Sequence, residues 1–245
     1  PTPEWTITTG ASSRSFVSRT LGSSMVLQRA PQRSRVWGAT SPGATVHVTL
    51  QPSGTEEVTT ADVDGTWRAL LPPMAASVGH TITIFSSAGE NATLANIAFG
   101  DVFLCGGQSN MVFAVPALTN ASAETAAADS YPHIRIFTVG IGTQSAMPLR
   151  DLKTVREPWQ VASSKTVSED VTPGHTLFAT FSAVCWVFGR TVSDALTTAG
   201  HTRADGGPVP LGLISNNWGG TRLEQWMPRD AIAPCVPAGA GAAEG

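Results

Sequence analysis

Charge is scarce in this chain. Only 13% of its 245 residues are charged, about half the usual share. Fifteen Lys and Arg stand against 18 Asp and Glu, for a net charge of -3. No basic stripe stands out, so neither nucleic acid nor an anionic membrane surface is expected as a partner. Long apolar runs are missing too. The best stretch, Ile97 to Leu104, is broken by Gly100 and Asp101, far short of a membrane span. Cysteine is limited to Cys105, Cys185 and Cys235. None has metal-ligand spacing, so no metal is expected. Two readings remain for these three: buried thiols, or one disulfide with a thiol left over. There is no internal repeat. The glycine patterns of dinucleotide and P-loop sites are absent, and so is the G-x-S-x-G elbow of α/β-hydrolases. The chain opens with Pro1 rather than Met and shows no leader; an upstream segment is expected to have been removed or left out.

What is present is turn chemistry and apolar bulk. The chain has 24 Gly, 17 Pro and 42% hydrophobic residues, which favours a β-rich or mixed fold with a sizeable core. Up to about residue 99 the texture is β. Ser24 to Arg29, Arg35 to Ala39, Thr45 to Leu50, Thr81 to Ser86 and Thr93 to Ala98 are short strand-like runs. Val58 to Asp62 and Thr66 to Leu71 flank Asp64-Gly65 and read as a hairpin. Together they predict a small antiparallel sandwich over 1–99. From residue 100 the pattern alternates. Val102 to Cys105 reads as a buried parallel strand, as does Pro210 to Ser215. Arg135 to Val139 is another strand. Phe181 to Leu196 is a helix with an apolar face through Val184, Val187, Phe188 and Val192. This predicts an α/β domain over 100–245 with an incomplete parallel sheet. Pro237 to Gly245 is Ala/Gly-rich and reads as a linker or frayed end.

The chemistry concentrates at Gly100-Asp101-Val102-Phe103-Leu104-Cys105-Gly106-Gly107-Gln108-Ser109-Asn110-Met111. A strand ends in two glycines, and Ser109 follows at its C-terminal edge, where ligands of open α/β sheets bind. Gly106 and Gly107 permit close approach to the backbone. On local grounds Ser109 is either a helix N-cap or a nucleophile beside outward-pointing N–H groups.

The segment Gly107-Gln108-Ser109-Asn110-Met111 resembles the first block of SGNH hydrolases as it occurs in sialate O-acetylesterases. Leu213 to Met227, containing Trp218-Gly219-Gly220-Thr221, resembles the W-G-G-T segment of that family. Phe181-Ser182-Ala183-Val184 with Phe188-Gly189-Arg190 resembles its intervening helix, and Met25 to Arg29 with Val36-Trp37-Gly38 the start of its N-terminal β-domain. The resemblance implies an SGNH-hydrolase-like α/β fold preceded by a β-sandwich, and removal of O-acetyl groups from sugars, sialic acid first among them. It implies that Ser109 is the nucleophile, that the Ser109 and Gly220 N–H groups (or Gly219 in place of Gly220) bind the oxyanion, and that no cofactor or metal is used. Trp218 would line the substrate, and Arg222 would contact an acidic sugar or else stand solvated. Trp226 flanks the site with Trp218 and is the other candidate for lining it, and the remaining tryptophans read mostly as core.

A serine needs a base. The family's late Asp/His motif and its Q-G-E-S-N-like block do not occur here. None of His47, His80, His133, His175 and His201 follows an Asp by two or three residues. The expectation is that the chain is the N-terminal part of a longer protein, with the C-terminal remainder of its own precursor as a partner and little activity alone. Rival readings are another carbohydrate acetylesterase, acting for example on xylan, and a non-catalytic glycan-binding fragment. The sequons at Asn91 and Asn120 are compatible with a secreted or lysosomal protein.

Overall fold

A computed structural model describes residues 15–140, 145, 149–169, 181–227 and 229–232. Cys235, His175 and the segment Pro237 to Gly245 lie outside them.

Among the described residues ten strands are arranged as an eight-stranded sheet and a two-stranded ribbon. The first seven are β1 (Val26–Gln28), β2 (Arg35–Ala39), β3 (Thr45–Gln51), β4 (Thr55–Thr60), β5 (Thr66–Leu70), β6 (Ser77–Ser86) and β7 (Asn91–Gly107). Then come β8 (Ile134–Val139), β9 (Val155–Val161) and β10 (Leu211–Asn217). The helices are α1 (Ser109–Val112), α2 (Ala121–Ala127), α3 (Ala183–Thr198) and α4 (Arg229–Ile232). The sheet runs β4-β3-β6-β7-β10-β8-β9, with β1 added against β7, and β2 pairs with β5.

Period-two patterning forms the first half. In β3, Val46, Val48 and Leu50 are fully buried while the residues between them reach solvent. These three join Ile82 and Ile84 of β6, and Val36, Trp67 and Ala69 of the β2–β5 ribbon, in one core. The expected hairpin across Asp64-Gly65 is not made. The turn forms, with Gly65 N–H on Asp62 O at 2.8 Å, but its arms part. Strand β4 pairs with β3, whereas β5 pairs with β2. The reason is burial: the opposite course of β5 lets Trp67 and Ala69 cap the sheet from the ribbon side.

Strand β7 is the spine. Over Asn91 to Phe99 it is antiparallel to β6. It also runs parallel to β1 over Ala98 to Gly100 and to β10 over Asp101 to Gly107, on opposite edges, since Gly100 O accepts from Arg29 N–H while the Asp101 N–H of the same peptide donates to Pro210 O. The change of partner falls at Gly100, where a Cβ would sit 1.9 Å from Pro210 O. Arg29 and Asp101 brace the crossing with a two-bond ion pair at 2.8 and 3.0 Å.

In the second half β7, β10 and β8 are parallel and β9 closes the edge antiparallel. Its Pro158 is tolerated because an edge strand has an unpaired side. A second core unites the sheet with α3 through Ile136, Leu213, Phe181 and Trp186. Here two expectations are corrected. Helix α3 begins at Ala183, capped by Ser182 Oγ, which accepts from Cys185 N–H. Its buried face carries Ala183, Trp186, Gly189 and Ser193, not Val184 and Phe188, which are 48% and 42% exposed. Gly189 is required where it stands, because a Cβ there would already meet Leu213 Cδ1 at 2.3 Å. Leu104, read as buried, is 66% exposed. The second core and its helices lie on the opposite face, the one that takes Cys105.

Cys105 and Cys185 form a disulfide that closes an 80-residue separation between β7 and α3, so the buried-thiol reading is replaced. Another buried group is Glu157 on β9, 3% exposed, which accepts from Thr138 Oγ1 at 2.9 Å. Burial raises its pKa to about 7, more than the Thr138 bond lowers it.

Replacing Cys105 and Cys185 together by Ala is expected to lower the unfolding free energy by about 4 kcal/mol, through the restored freedom of the unfolded chain. Urea denaturation without reductant checks this. For Glu157 the folded pKa is raised, so the folded state holds the proton more tightly and stability falls as pH rises from about 4.5 to 7. The Glu157→Gln variant escapes that loss. Its advantage over the parent is expected to grow between pH 5 and 8 to about 3 kcal/mol at most, as read from unfolding curves at both pH values.

Candidate functional site

The parallel strands β7 and β10 end together, Gly107 facing Asn217. The two segments that follow are bound to each other. Trp218 N–H donates to Gly107 O at 3.0 Å. The Gln108 side-chain amide donates to Thr221 O at 3.2 Å. Thr221 Oγ1 donates to Trp218 O at 2.7 Å and accepts from Trp226 Nε1 at 2.8 Å. Buried Asn217 is fixed beneath them by its bond to Ser215 Oγ at 2.6 Å. Neither Gln108 nor Thr221 was singled out from sequence; 113 residues separate them, and no local pattern links the two.

Ser109 stands on this platform, exposed, as the first residue of α1. It is not an N-cap: Gln108 holds that position and makes no side-chain cap bond. A Cβ placed on Gly219 would lie 3.1 Å from Ser109 Oγ and 3.5 Å from Ser109 Cα. The serine hydroxyl and the Trp218-Gly219-Gly220 turn are therefore in contact. Gly220 has φ +78°, a left-handed conformation that glycine adopts without strain. The N–H groups of Ser109, Gly219 and Gly220 donate to no acceptor among the described residues. Trp218 is half-buried beside the turn, and Arg222 is exposed just beyond it.

The segment behind Ser109 is held rigidly. The disulfide anchors β7 four residues before it. After α1 the chain bonds to the start of α3, with Ala183 N–H on Phe113 O at 2.7 Å and Val115 N–H on Phe181 O at 3.3 Å. Met111 Sδ accepts from Ser182 Oγ at 3.4 Å.

The described histidines lie elsewhere. His133 immediately precedes β8, whose Ile134 is level with Leu211, and Leu211 with Asp101. That is the opposite edge of the sheet, about 20 Å from the level of Gly107 at strand rise. Its Nε2 is paired with Ser193 Oγ at 2.6 Å. Burial, and then Arg203, lower its pKa to about 4, leaving a neutral structural imidazole. His201 follows α3 at the same far edge, ahead of β10. His47 pairs with Glu56 at 3.0 Å on β3, and His80 with Ser77 at 2.9 Å on β6. No group of three or more metal-ligating side chains occurs among the described residues. No described helix is long and apolar enough to cross a membrane.

No family model matches the chain. It is 38% identical over 218 residues to the sialate O-acetylesterase of Mus musculus, covering 86% of this chain and 37% of that protein. Against the sialate O-acetylesterase of Homo sapiens the identity is 36% over 222 residues, covering 88% and 39%. Among solved structures it resembles a carbohydrate acetylesterase from Xanthomonas citri with TM-score 0.70 and 26% identity, covering 89% of this chain and 43% of that one. The chain thus spans less than two fifths of the length of these curated relatives.

Because Gly219 is the wall against which Ser109 Oγ rests, Gly219→Ala is expected to displace the hydroxyl. Reaction of Ser109 with a fluorophosphonate should slow by roughly tenfold to 100-fold while the melting temperature changes little. Intact-protein mass spectrometry over time measures the rate.

Proposed function

The chain belongs to the sialate O-acetylesterase family, and from that premise we propose that it carries the nucleophile and part of the oxyanion hole of a serine esterase that removes O-acetyl groups from sugars, sialic acid first among them. One observation carries the proposal: Ser109 Oγ lies exposed against the Gly219 turn, at the C-terminal edge of the parallel strands.

In the proposed reaction Ser109 Oγ attacks the acetyl carbonyl and gives up its proton to a base. The carbonyl oxygen becomes an oxyanion bound by the Ser109 and Gly220 N–H groups, with Gly219 as the alternative second donor. Each such donor is worth about 10²–10³ in rate. The ester C–O bond breaks, the sugar leaves as an alcohol with the returned proton, and water hydrolyses the acetyl-serine to acetate. Trp218 and Arg222 would line the sugar side, Arg222 offering a fork to a carboxylate. The base is proposed to come from sequence beyond Gly245, the C-terminal remainder acting as partner. The modest share of the relatives' length spanned here favours that, and so does the distance of His133 from the site.

We further propose two structural units, a β-sandwich-like unit over 1–99 and the first part of an SGNH-type unit over 100–245. The second core, built wholly from residues after 100, favours the division, while β7 passes through the boundary and the first core draws in Phe137 and Trp159 from beyond it. A secreted or lysosomal location is proposed on the strength of the Cys105–Cys185 disulfide, since such bonds persist in oxidising compartments.

The chain is expected to react slowly with a fluorophosphonate, at Ser109 alone, and roughly tenfold faster with added imidazole. That gain is part of the 10²–10⁴ a positioned base supplies. Ser109→Ala should abolish labelling. A folded chain that stays unlabelled in imidazole would sink the esterase reading in favour of a non-catalytic glycan-binding role.

A further inference from the structure

The outer face of the β2–β5 ribbon forms the floor of a cleft of about 840 Å³, lined by Arg33, Arg35, Trp37, Arg68, Arg150 and Asp151 among others. Four guanidinium groups around one indole are unusual in a chain with only 15 Lys and Arg and a net charge of -3. The cleft shares no lining residue with the Ser109 site.

The register of the ribbon builds this surface. Trp37 lies directly opposite Arg68, and Arg35 opposite Leu70. Val36, Trp67 and Ala69 point into the core, so Arg35, Trp37 and Arg68 share the outward face. Directly opposed side chains have Cβ atoms about 5 Å apart and diagonal ones about 7–8 Å. The half-buried indole is therefore flanked by two guanidinium groups.

Some of the arginines are already engaged. Arg33 donates to the carbonyls of Leu70 and Leu71 and pairs with Glu57. Arg150 pairs with Asp64. Asp151 accepts from Ser18 Oγ and the Arg19 N–H at 2.8 and 3.1 Å, which spends the acid of the cleft on the chain entering the ribbon. Arg35 and Arg68 are exposed and form no ion pair among the described residues. Two unpaired cations held beside an aromatic face are a recognition geometry. An indole takes the apolar face of a sugar ring, and guanidinium takes a carboxylate through paired N–H bonds.

We propose that this cleft binds a carboxylate-bearing saccharide, with Trp37 under the sugar ring and Arg35 and Arg68 on the carboxylate. It is a second glycan site, remote from Ser109 and independent of whether Ser109 is a nucleophile.

Titration of the chain with 3′-sialyllactose, followed by saturation-transfer NMR, tests it. Binding is expected, with transfer strongest to the sialic acid ring protons. Lactose, which lacks the carboxylate, should bind at least roughly tenfold more weakly, the loss expected for a charge-assisted hydrogen-bond pair. The Arg35→Ala/Arg68→Ala double variant should lose a similar factor, and Trp37→Phe should weaken ring-proton transfer. Both should retain the parental melting temperature and the parental fluorophosphonate rate at Ser109. Equal binding of lactose and sialyllactose, or undiminished binding by the double arginine variant, overturns the proposal. Loss of sialyllactose binding on replacing Arg222, but not Arg35 and Arg68, would also overturn it, by placing the ligand at the Ser109 site.

Discussion

At Gly100 the pairing of strand β7 with β6 and β1 gives way to pairing with β10, with Pro210 O occupying the place of a side chain. The rest of the molecule is organised around that crossing. Upstream, the strand is held by β6 and by the first core. Downstream, it is the strand whose end presents Ser109. No linker intervenes, so the position of the serine relative to the first hundred residues is set by a continuous hydrogen-bond ladder. The Arg29–Asp101 pair sits at the same point, with both side chains about 30% exposed. Such exposure implies a modest energetic contribution and a geometric one through its two parallel bonds.

Downstream of the crossing, the site is made rigid by neutral contacts. The bonds between the β7 and β10 termini are all amide, carbonyl or hydroxyl contacts. Beneath them the disulfide ties the end of β7 to the first turn of α3. Such a platform keeps its geometry across pH. The strongly shifted groups, His133 and Glu157, serve elsewhere in the sheet. In the proposed reaction the Ser109 hydroxyl, with N–H groups that donate to no acceptor among the described residues, is the preorganised half of acyl-transfer catalysis, and its dipoles need no reorganisation when charge develops.

Much of this was legible in the sequence, and the exceptions are instructive. Strands with clean period-two alternation, such as Thr45 to Leu50, were found almost to the residue, because alternation reports one-sided burial directly. The Ser109 turn was legible as a buried strand ending in two glycines and a serine, whereas its glycine-rich partner at Trp218 was legible only through the resemblance to the sialate O-acetylesterase family. Three things were not. The arms of the Asp64-Gly65 turn pair with different strands, because the burial of Trp67 outweighs the local hairpin signal. Strand β9, with its Pro158 and Glu157, has no apolar period to find. The buried face of α3 runs through Ala183, Trp186, Gly189 and Ser193 and leaves Val184 and Phe188 exposed. Close approach to Leu213 requires Gly189, and hydropathy alone points the other way. The disulfide was unreadable for a simpler reason: three cysteines and no local spacing give no basis for choosing a pair.

The proposal that nucleophile and base lie on different segments is consistent with how the two work. Removing a base or a nucleophile from a serine-hydrolase site leaves the oxyanion hole and binding elements able to supply about 10³–10⁴ over water. These parts are therefore functionally separable, and they can be structurally separable too. Here the hydroxyl and the candidate oxyanion donors are assembled by β7, β10 and α3 without help from any described histidine. An imidazole arriving on another segment would need only to reach an exposed Oγ, with no rearrangement of the platform beneath it. Completing the site then reduces to docking one side chain at the rim of a finished surface, and that surface already exists in this chain because the Gly100 crossing and the β7–β10 ladder hold it in place.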